Sequence, residues 1–131
     1  MNYNANKYNT GVNVAVSVNK TVVDGVPIPG RTMKNAIATS WYFHASEEDR
    51  IRMAFEQNLP VTVTGMERGR QVATYLAESM SIIDISAENP TVGQPRRVEF
   101  KLVKRLFAGA PIWNGSLGMH AVAVRGLEDI I

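Results

Sequence analysis

The fold is decided by the run of β-forming residues from Val61 to Ile85, VTVTGMERGRQVATYLAESMSIIDI. The run begins with alternating valine and threonine, which is the pattern of a strand with one face against a hydrophobic core. A charged turn, Glu67-Arg68-Gly69-Arg70, interrupts it, and β-type residues return from Val72 onward. We therefore predict a long β-hairpin. The apolar residues change parity in its second strand, so we expect a bulge or a change of exposed face there.

The segment before the hairpin contains the clearest single strand, from Val12 to Val18, in which every second residue is valine. Asp24-Gly25 predicts a tight turn after it, because both residues tolerate positive φ. The next segment contains Pro27 and Pro29, which lack the N–H that a central strand needs, so we expect it at an edge or in a loop. Residues 1–11 are rich in asparagine and are predicted to form a flexible arm.

A strand and a helix are predicted between that turn and the hairpin. β-branched and aromatic residues without helical spacing run from Ala36 to His44, which favours a buried strand. Ser46 is a suitable N-cap, the acidic residues after it suit the positive end of a helix dipole, and apolar residues then recur four positions apart up to Leu59. Pro60 is expected to end this helix.

The C-terminal third of the chain continues with further predicted strands. Arg96 begins a strand that continues through Leu102, and a helix over residues 97–107 is the alternative. Residues 120–125 alternate again and predict a last strand, which a short acidic tail follows. The pattern as a whole indicates a mainly β domain.

Length and composition limit the class of protein. The chain has 131 residues, enough for one hydrophobic core, and we expect a single domain over residues 1–131. Its formal net charge of +2 is a mild basic bias that identifies no partner by itself. The chain has no cysteine, which excludes disulfides and cysteine-ligated metal centres. The N-terminus lacks the pattern of a secretion signal and no stretch is apolar enough to span a membrane, so we expect a cytoplasmic protein.

Three motifs follow one another between Thr39 and Asp84. They are Trp41-Tyr42-Phe43 before the helix, Leu59-Pro60-Val61-Thr62-Val63-Thr64-Gly65 after it, and the basic turn Arg68-Gly69-Arg70 with a strand that ends at Ile82-Ile83-Asp84. This arrangement resembles the core of single-stranded DNA-binding proteins of the bacterial and phage OB type. The resemblance implies an OB-like five-stranded barrel with one α-helix between strands 3 and 4. Familiar members of that family continue with a flexible acidic tail, whereas this chain is predicted to add extra C-terminal strands.

A protein that binds single-stranded DNA needs positive charge along the phosphates and flat rings on which bases stack. The candidate phosphate contacts are Arg31, Lys34, Arg68, Arg70, Arg96, Arg97 and Lys101. The candidate stacking residues are Trp41, Phe43, Tyr75 and Trp113. In a strand, Tyr42 would face away from Trp41 and Phe43, so either set can be the exposed one. For each cation the alternative is a solvated surface position, and for each ring it is the hydrophobic core.

The sequence contains no arrangement typical of an enzyme. Its two histidines, His44 and His120, lack metal-ligand spacing, and neither a phosphate-binding loop nor a nucleophile motif is present. We therefore predict no catalysis, no cofactor and no metal site.

Two classes of function stay open at this stage. The favoured hypothesis is a homo-oligomeric protein that binds single-stranded DNA with little sequence preference, as DNA replication requires. RNA is an alternative ligand, because no reader of the 2′-hydroxyl is recognisable. The other class is a structural or assembly subunit of a virus or mobile element, in which exposed strands pair between copies.

Overall fold

The computed structural model describes residues 10–106 and 121–127, and this part of the chain is mainly β, as predicted. Residues 1–9 of the predicted arm, together with Trp113 and His120, lie outside the described residues. The elements follow one another in the order β1 (Val12–Ser17), β2 (Val22–Val23), β3 (Val26–Pro27), α1 (Met33–Ala38), α2 (Ala45–Glu56), β4 (Val61–Glu67), β5 (Arg70–Asp84), β6 (Arg96–Leu106) and β7 (Val122–Gly126).

The described strands form one large sheet and one small hairpin. The large sheet has five strands in the order β6-β5-β4-β1-β7, and β2 pairs only with β3. Within the large sheet, β1 and β4 are parallel, and the other neighbouring pairs are antiparallel. Two parallel neighbours need a crossover connection between them, and α1 and α2 lie in that connection. Because β6 and β7 stand at the two ends of the strand order, they are the edges of this sheet.

The predicted hairpin is confirmed. β4 and β5 pair from Val61↔Ala77 to Glu67↔Arg70, with a register shift between Gly65 and Met66. A strand, not a helix, follows Arg96, and β5 shows further register shifts where it pairs with β6. The predicted helix ends at Glu56, but His44, not Ser46, is its N-cap, where the Glu47 carboxylate accepts a hydrogen bond from the His44 N–H at 3.1 Å.

The predicted OB-like barrel is wrong, because the large sheet stays open and two helices precede β4. The error begins with the strand predicted from Ala36 to His44. Its first residues belong to α1, which Thr32 caps by accepting a hydrogen bond from the Asn35 N–H at 3.0 Å. Ile37 then packs directly on Gly65 of β4, where a β-carbon would lie only 2.8 Å from Ile37 Cγ1. Because Gly65 has no side chain, α1 can pack closely on β4. The helix thus occupies the position in the chain where the third strand was expected.

The hydrophobic core lies on one face of the large sheet. The valines of β1 and β4 on that face are almost fully buried and share one cluster with Ile37 of α1, Ile51 of α2 and Phe43. This burial explains why strict alternation in the sequence predicts these strands correctly. On this face of the sheet, α2 contacts β1, β4, β5 and β7.

The opposite face of the same strands is also buried, and beside a small apolar cluster of Ala15 and Met66 it carries a polar network. Asn13 Nδ2 donates to Thr62 Oγ1 at 2.9 Å and to Thr64 Oγ1 at 3.0 Å. The Thr64 and Thr74 hydroxyls lie 2.8 Å apart. The network joins β1, β4 and β5, and such a network favours one register, because a slip by one residue would exchange its polar groups with the valines.

Candidate functional site at the edges of the sheet

The β6 edge is protected over its first half. Val98 exchanges two backbone hydrogen bonds with Trp41, at 2.8 and 3.0 Å. α1 also packs against β6, and Phe100 and Leu102 are no more than 5% exposed. A second chain therefore has no free access to this part of the edge.

The second half of β6 is exposed, but its residues oppose strand pairing. Val103 has no partner in β5, because Leu76 pairs with Lys104 and the next residue, Ala77, pairs with Leu102. Lys104 and Arg105 follow this bulge and are exposed. Bulges and cationic residues are the usual protection of an edge strand against another chain.

The β7 edge is different. Ser17 N–H donates to the Ala121 carbonyl at 2.8 Å, and Leu127 N–H donates to the Gly11 carbonyl at 3.1 Å. Because bonding alternates along an antiparallel strand, the peptide groups of Val122 and Val124 point away from β1. Arg50 Nη1 donates to the Val124 carbonyl at 3.4 Å, which agrees with this orientation. No strand in the described part of the chain pairs with that side of β7.

A groove lies beside Val124, between α2 and the strands β1 and β7. Its volume is about 480 Å³, and we call it the β7 groove. Its apolar lining consists of Val12, Met53, Ala54 and Val124, and its polar lining consists of Ser46, Glu47, Asp49, Arg50 and Gln57. Met53 is 46% exposed although it is a large apolar side chain. The groove therefore offers an apolar floor next to backbone donors, which is the arrangement that receives an extended chain.

An ion-pair cluster ties β6 to α2 on the far side of the helix. The buried Glu48 carboxylate accepts from Arg96 Nε at 2.9 Å and Nη2 at 2.7 Å, and from Arg52 at 2.5 Å. Hydrogen bonds from Arg96, and secondarily from Arg52, hold the pKa of Glu48 below its ordinary value against the opposing effect of burial. Arg96, predicted as a phosphate contact, is thus part of a structural ion pair.

The structure does not bring the other predicted phosphate contacts into one track. Arg68 and Arg70 lie at the start of β5 and Arg97 lies beside its end, so they are about 45 Å apart along the strand. Lys101 pairs with Glu78 at 2.7 Å, and this hydrogen bond raises the pKa of Lys101. Arg31 and Lys34 are exposed around the start of α1.

Two of the four predicted stacking rings are buried and not accessible to bases. Phe43 and Tyr75 are both 7% exposed, and Phe43 packs edge-on against Phe100 with ring centroids 6.2 Å apart. Trp41 is half-buried and its indole N–H donates to the Ile37 carbonyl at 2.8 Å. Trp113 lies outside the described residues.

Tyr42 is the exposed ring in this region. It is 38% exposed, and the Arg97 guanidinium carbon lies 5.5 Å from its ring centroid. Its hydroxyl donates to Gln94 Oε1 at 2.9 Å. The opposite parity of Tyr42 and Phe43 in the sequence is the signal that separates the exposed ring from the buried one. No such local signal marks the β7 groove, which depends on residues far apart in the chain.

Comparison with protein-family models, with curated proteins and with solved structures finds no significant match to this chain. Among residues 10–106 and 121–127, no helix is long and apolar enough to cross a membrane. The described side chains also include no group of three or more acidic, histidine or cysteine residues placed to hold a metal ion. The features of the described chain that bear on function are therefore the two sheet edges and the residues around them.

Proposed function

We propose that this protein is a structural subunit that self-associates, and that the β7 groove receives an extended segment of a neighbouring copy. The observation that carries the proposal is the outward orientation of the Val122 and Val124 peptide groups beside an apolar groove. Among the described residues, no backbone group pairs with the N–H groups of either valine.

The physical reason is that an edge strand next to a helix offers two kinds of interaction at once. Backbone hydrogen bonds to the edge supply affinity that does not depend on sequence, and side chains that enter the groove supply specificity. In β7 the residues whose N–H groups point outward are Val122 and Val124, whose side chains pack on the hydrophobic core, and Arg50 already donates to the Val124 carbonyl. The exposed side chain of Met53 adds a flexible apolar contact that adapts to different shapes.

The β6 edge does not offer the same interaction. Its first half already pairs with Trp41, and Lys104 and Arg105 in its second half would meet the same cations in an antiparallel β6–β6 pair. Self-association through β7 is therefore favoured over self-association through β6.

Sedimentation velocity over a wide range of protein concentration, with negative-stain electron microscopy of the most concentrated samples, tests the proposal. We expect oligomers that grow with concentration. The substitution Val124→Pro removes one outward N–H from the edge and should shift the protein to the monomer. A wild-type protein that stays monomeric throughout the range, or a Val124→Pro protein that assembles normally, contradicts the proposal.

A second candidate function is single-stranded DNA binding, which the Arg97–Tyr42 pair favours. An exposed ring with a guanidinium over it provides a stacking surface and a cation together, and Lys104 and Arg105 are further exposed cations on β6. Binding of a fluorescent oligo-dT that weakens steeply with salt would support this function. Replacing Arg97 by alanine should then weaken binding without unfolding the protein, because Arg97 lies over the exposed Tyr42 ring. No binding at low salt excludes this candidate and leaves the assembly proposal as it stands.

A further inference from the structure

The β2–β3 hairpin exposes an unusual amount of apolar surface for its size. Val23 is 49% exposed, Val26 is 64% exposed and Ile28 is 36% exposed. Exposed aliphatic side chains in one short segment form a patch of the kind found at contacts between proteins.

This hairpin is held rigidly on the body of the protein. Both oxygens of the buried Glu67 carboxylate accept hydrogen bonds from its turn, from the Asp24 N–H at 2.7 Å and from the Gly25 N–H at 2.8 Å. Asp24 and Gly25 have positive φ, as a two-residue hairpin turn requires. The apolar patch is thus presented in one fixed conformation, which lowers the entropy lost when it binds.

The outer edge of β3 complements the outer edge of β7. The Ile28 N–H donates to the Thr21 carbonyl at 3.0 Å, so alternation directs the peptide group of Pro27 away from β2. Proline has no N–H, so this position offers a carbonyl acceptor alone. Val122 and Val124 of β7 offer outward N–H donors, and the Val124 carbonyl already accepts from Arg50. The Pro27 carbonyl on the edge of β3 can therefore accept a hydrogen bond from the Val122 or Val124 N–H on the edge of β7.

The charges around the two surfaces are also complementary. Lys20 and Arg31 bound the hairpin in the sequence, and both are exposed. The polar lining of the β7 groove contains the carboxylates of Glu47 and Asp49 and the guanidinium of Arg50, so its formal net charge is negative, although Asp49 also pairs with Arg52. Docking of the hairpin in the groove would bring these opposite charges together at the margin of an apolar contact, where they favour one orientation.

Within one molecule, the hairpin and the groove lie at opposite ends of the sheet. The hairpin is bound to Glu67 at the end of β4, whereas the groove contains Val12 at the start of the parallel strand β1. These ends are about 20 Å apart along the strands. A molecule can therefore offer its hairpin to one neighbour while its groove receives the hairpin of another.

From these observations we infer that the occupant of the β7 groove is the β2–β3 hairpin of a second copy of this chain. This inference rests on the proposed function and deepens it. The contact joins two different surfaces, so repetition produces a ring if the rotation closes and a filament if it does not.

Three lysine substitutions at exposed apolar residues test the inference. Met53→Lys blocks the groove and Val26→Lys changes the hairpin, while Val103→Lys on β6 is the matched control because Val103 is 47% exposed. We expect the first two to weaken self-association about tenfold or more, since each places a charge in an apolar contact. The control should assemble like the wild type.

A mixture of the two blocked variants provides the sharper result. The Met53→Lys protein keeps a working hairpin and the Val26→Lys protein keeps a working groove, so an equimolar mixture should form a one-to-one dimer and nothing larger. If the wild type assembles and Met53→Lys does not, but Val26→Lys assembles like the control, the hairpin is not the occupant and the inference alone fails. A monomeric wild type overturns the proposed function, and the inference falls with it.

Discussion

The two edges of the large sheet, β6 and β7, have the same backbone chemistry. They differ in how they are protected against pairing with another chain. β6 is paired with Trp41 at Val98, is bulged at Val103, and then exposes Lys104 and Arg105. On β7, valines direct their peptide groups outward, and the apolar β7 groove runs beside them. Within the described chain, β6 thus combines a backbone partner, a bulge and exposed cations, whereas β7 has neither a bulge nor a strand on its outer side, although it contains Arg125 and its Val124 carbonyl accepts from Arg50.

This difference shows where the molecule can accept another chain. An unprotected edge is a hazard that soluble proteins usually remove, and this chain removes it on one side of the sheet. β6 carries this protection along its whole length, and under the proposed function the weaker protection of β7 admits a second copy of the chain. The comparison therefore supports an interface on β7 more strongly than exposure of β7 would alone.

The largest effect is expected from proline substitutions on β7 itself. Ala123 directs its N–H toward β1, so Ala123→Pro should break the sheet and lower the free energy of unfolding by about 3 kcal/mol. Val124→Pro removes an N–H that points away from β1, so the loss should be about 1 kcal/mol or less. Urea denaturation measures both. Equal losses of unfolding free energy would show that the N–H groups of Ala123 and Val124 do not point in opposite directions. The contrast between the two edges would then disappear.

A smaller effect is expected from the ion pairs that hold β6 in place. Glu48→Gln leaves Arg96 and Arg52 without their shared carboxylate and should lower the free energy of unfolding by about 2 kcal/mol. Since the pKa of Glu48 is lowered in the folded protein, its stabilisation is complete above the ordinary carboxyl pKa. That stabilisation is lost as the pH falls through the lowered value.

Thermal unfolding followed from neutral to acidic pH checks this expectation. The difference between the wild type and Glu48→Gln should shrink as the pH falls, because protonation removes the same charge from the wild type. Asp49→Asn is a matched control, since Asp49 is exposed and forms an ion pair with Arg52 but not with Arg96. A difference that is constant with pH would show that the Glu48 cluster does not secure β6 electrostatically.

Removing the cationic protection of β6 should make the two edges alike. Lys104→Val combined with Arg105→Val leaves an uncharged, exposed strand end and should produce slow aggregation that light scattering detects. Stability should change by about 0.5 kcal/mol or less, because both residues are exposed. Arg68→Asn combined with Arg70→Val is the matched control, because asparagine tolerates the positive φ of Arg68 in this turn, and it should stay in solution. If both pairs behave alike, the two β6 cations do not protect the edge.

The elements that the sequence predicts correctly depend on local patterns. Alternating valines place β1 and β4, the Asp24-Gly25 pair places the small hairpin, and the charged turn places the β4–β5 hairpin. The segment from Ala36 to His44 is predicted wrongly, because its β-type residues outweigh the Thr32 cap that begins α1. What decides between strand and helix there is the packing of Ile37 on Gly65, a contact that no local window contains.

The candidate site follows the same rule. Arg50 and Val124, which meet at the β7 groove, are separated by 74 positions in the chain, so no motif brings them together. Trp41 and Phe43, by contrast, belong to a local motif with Tyr42, and the sequence leaves open whether Tyr42 or its two neighbours are exposed. Charged residues are predicted as exposed more reliably than as functional, because Glu48 and Glu78 neutralise Arg96 and Lys101 only in the folded sheet.

A small effect, on stability alone, is expected at Tyr42, which adjoins the protected edge. Tyr42→Leu removes the contact with the Arg97 guanidinium and should lower the free energy of unfolding by about 0.5–1 kcal/mol. Tyr42→Phe keeps the ring and loses only the hydrogen bond to Gln94, so the cation–ring contact should survive. Urea denaturation separates the two variants, and self-association should be unchanged in both, since Tyr42 belongs to the β6 side of the sheet. Weaker assembly of Tyr42→Leu would place part of the interface on that side and break the division of roles between the edges.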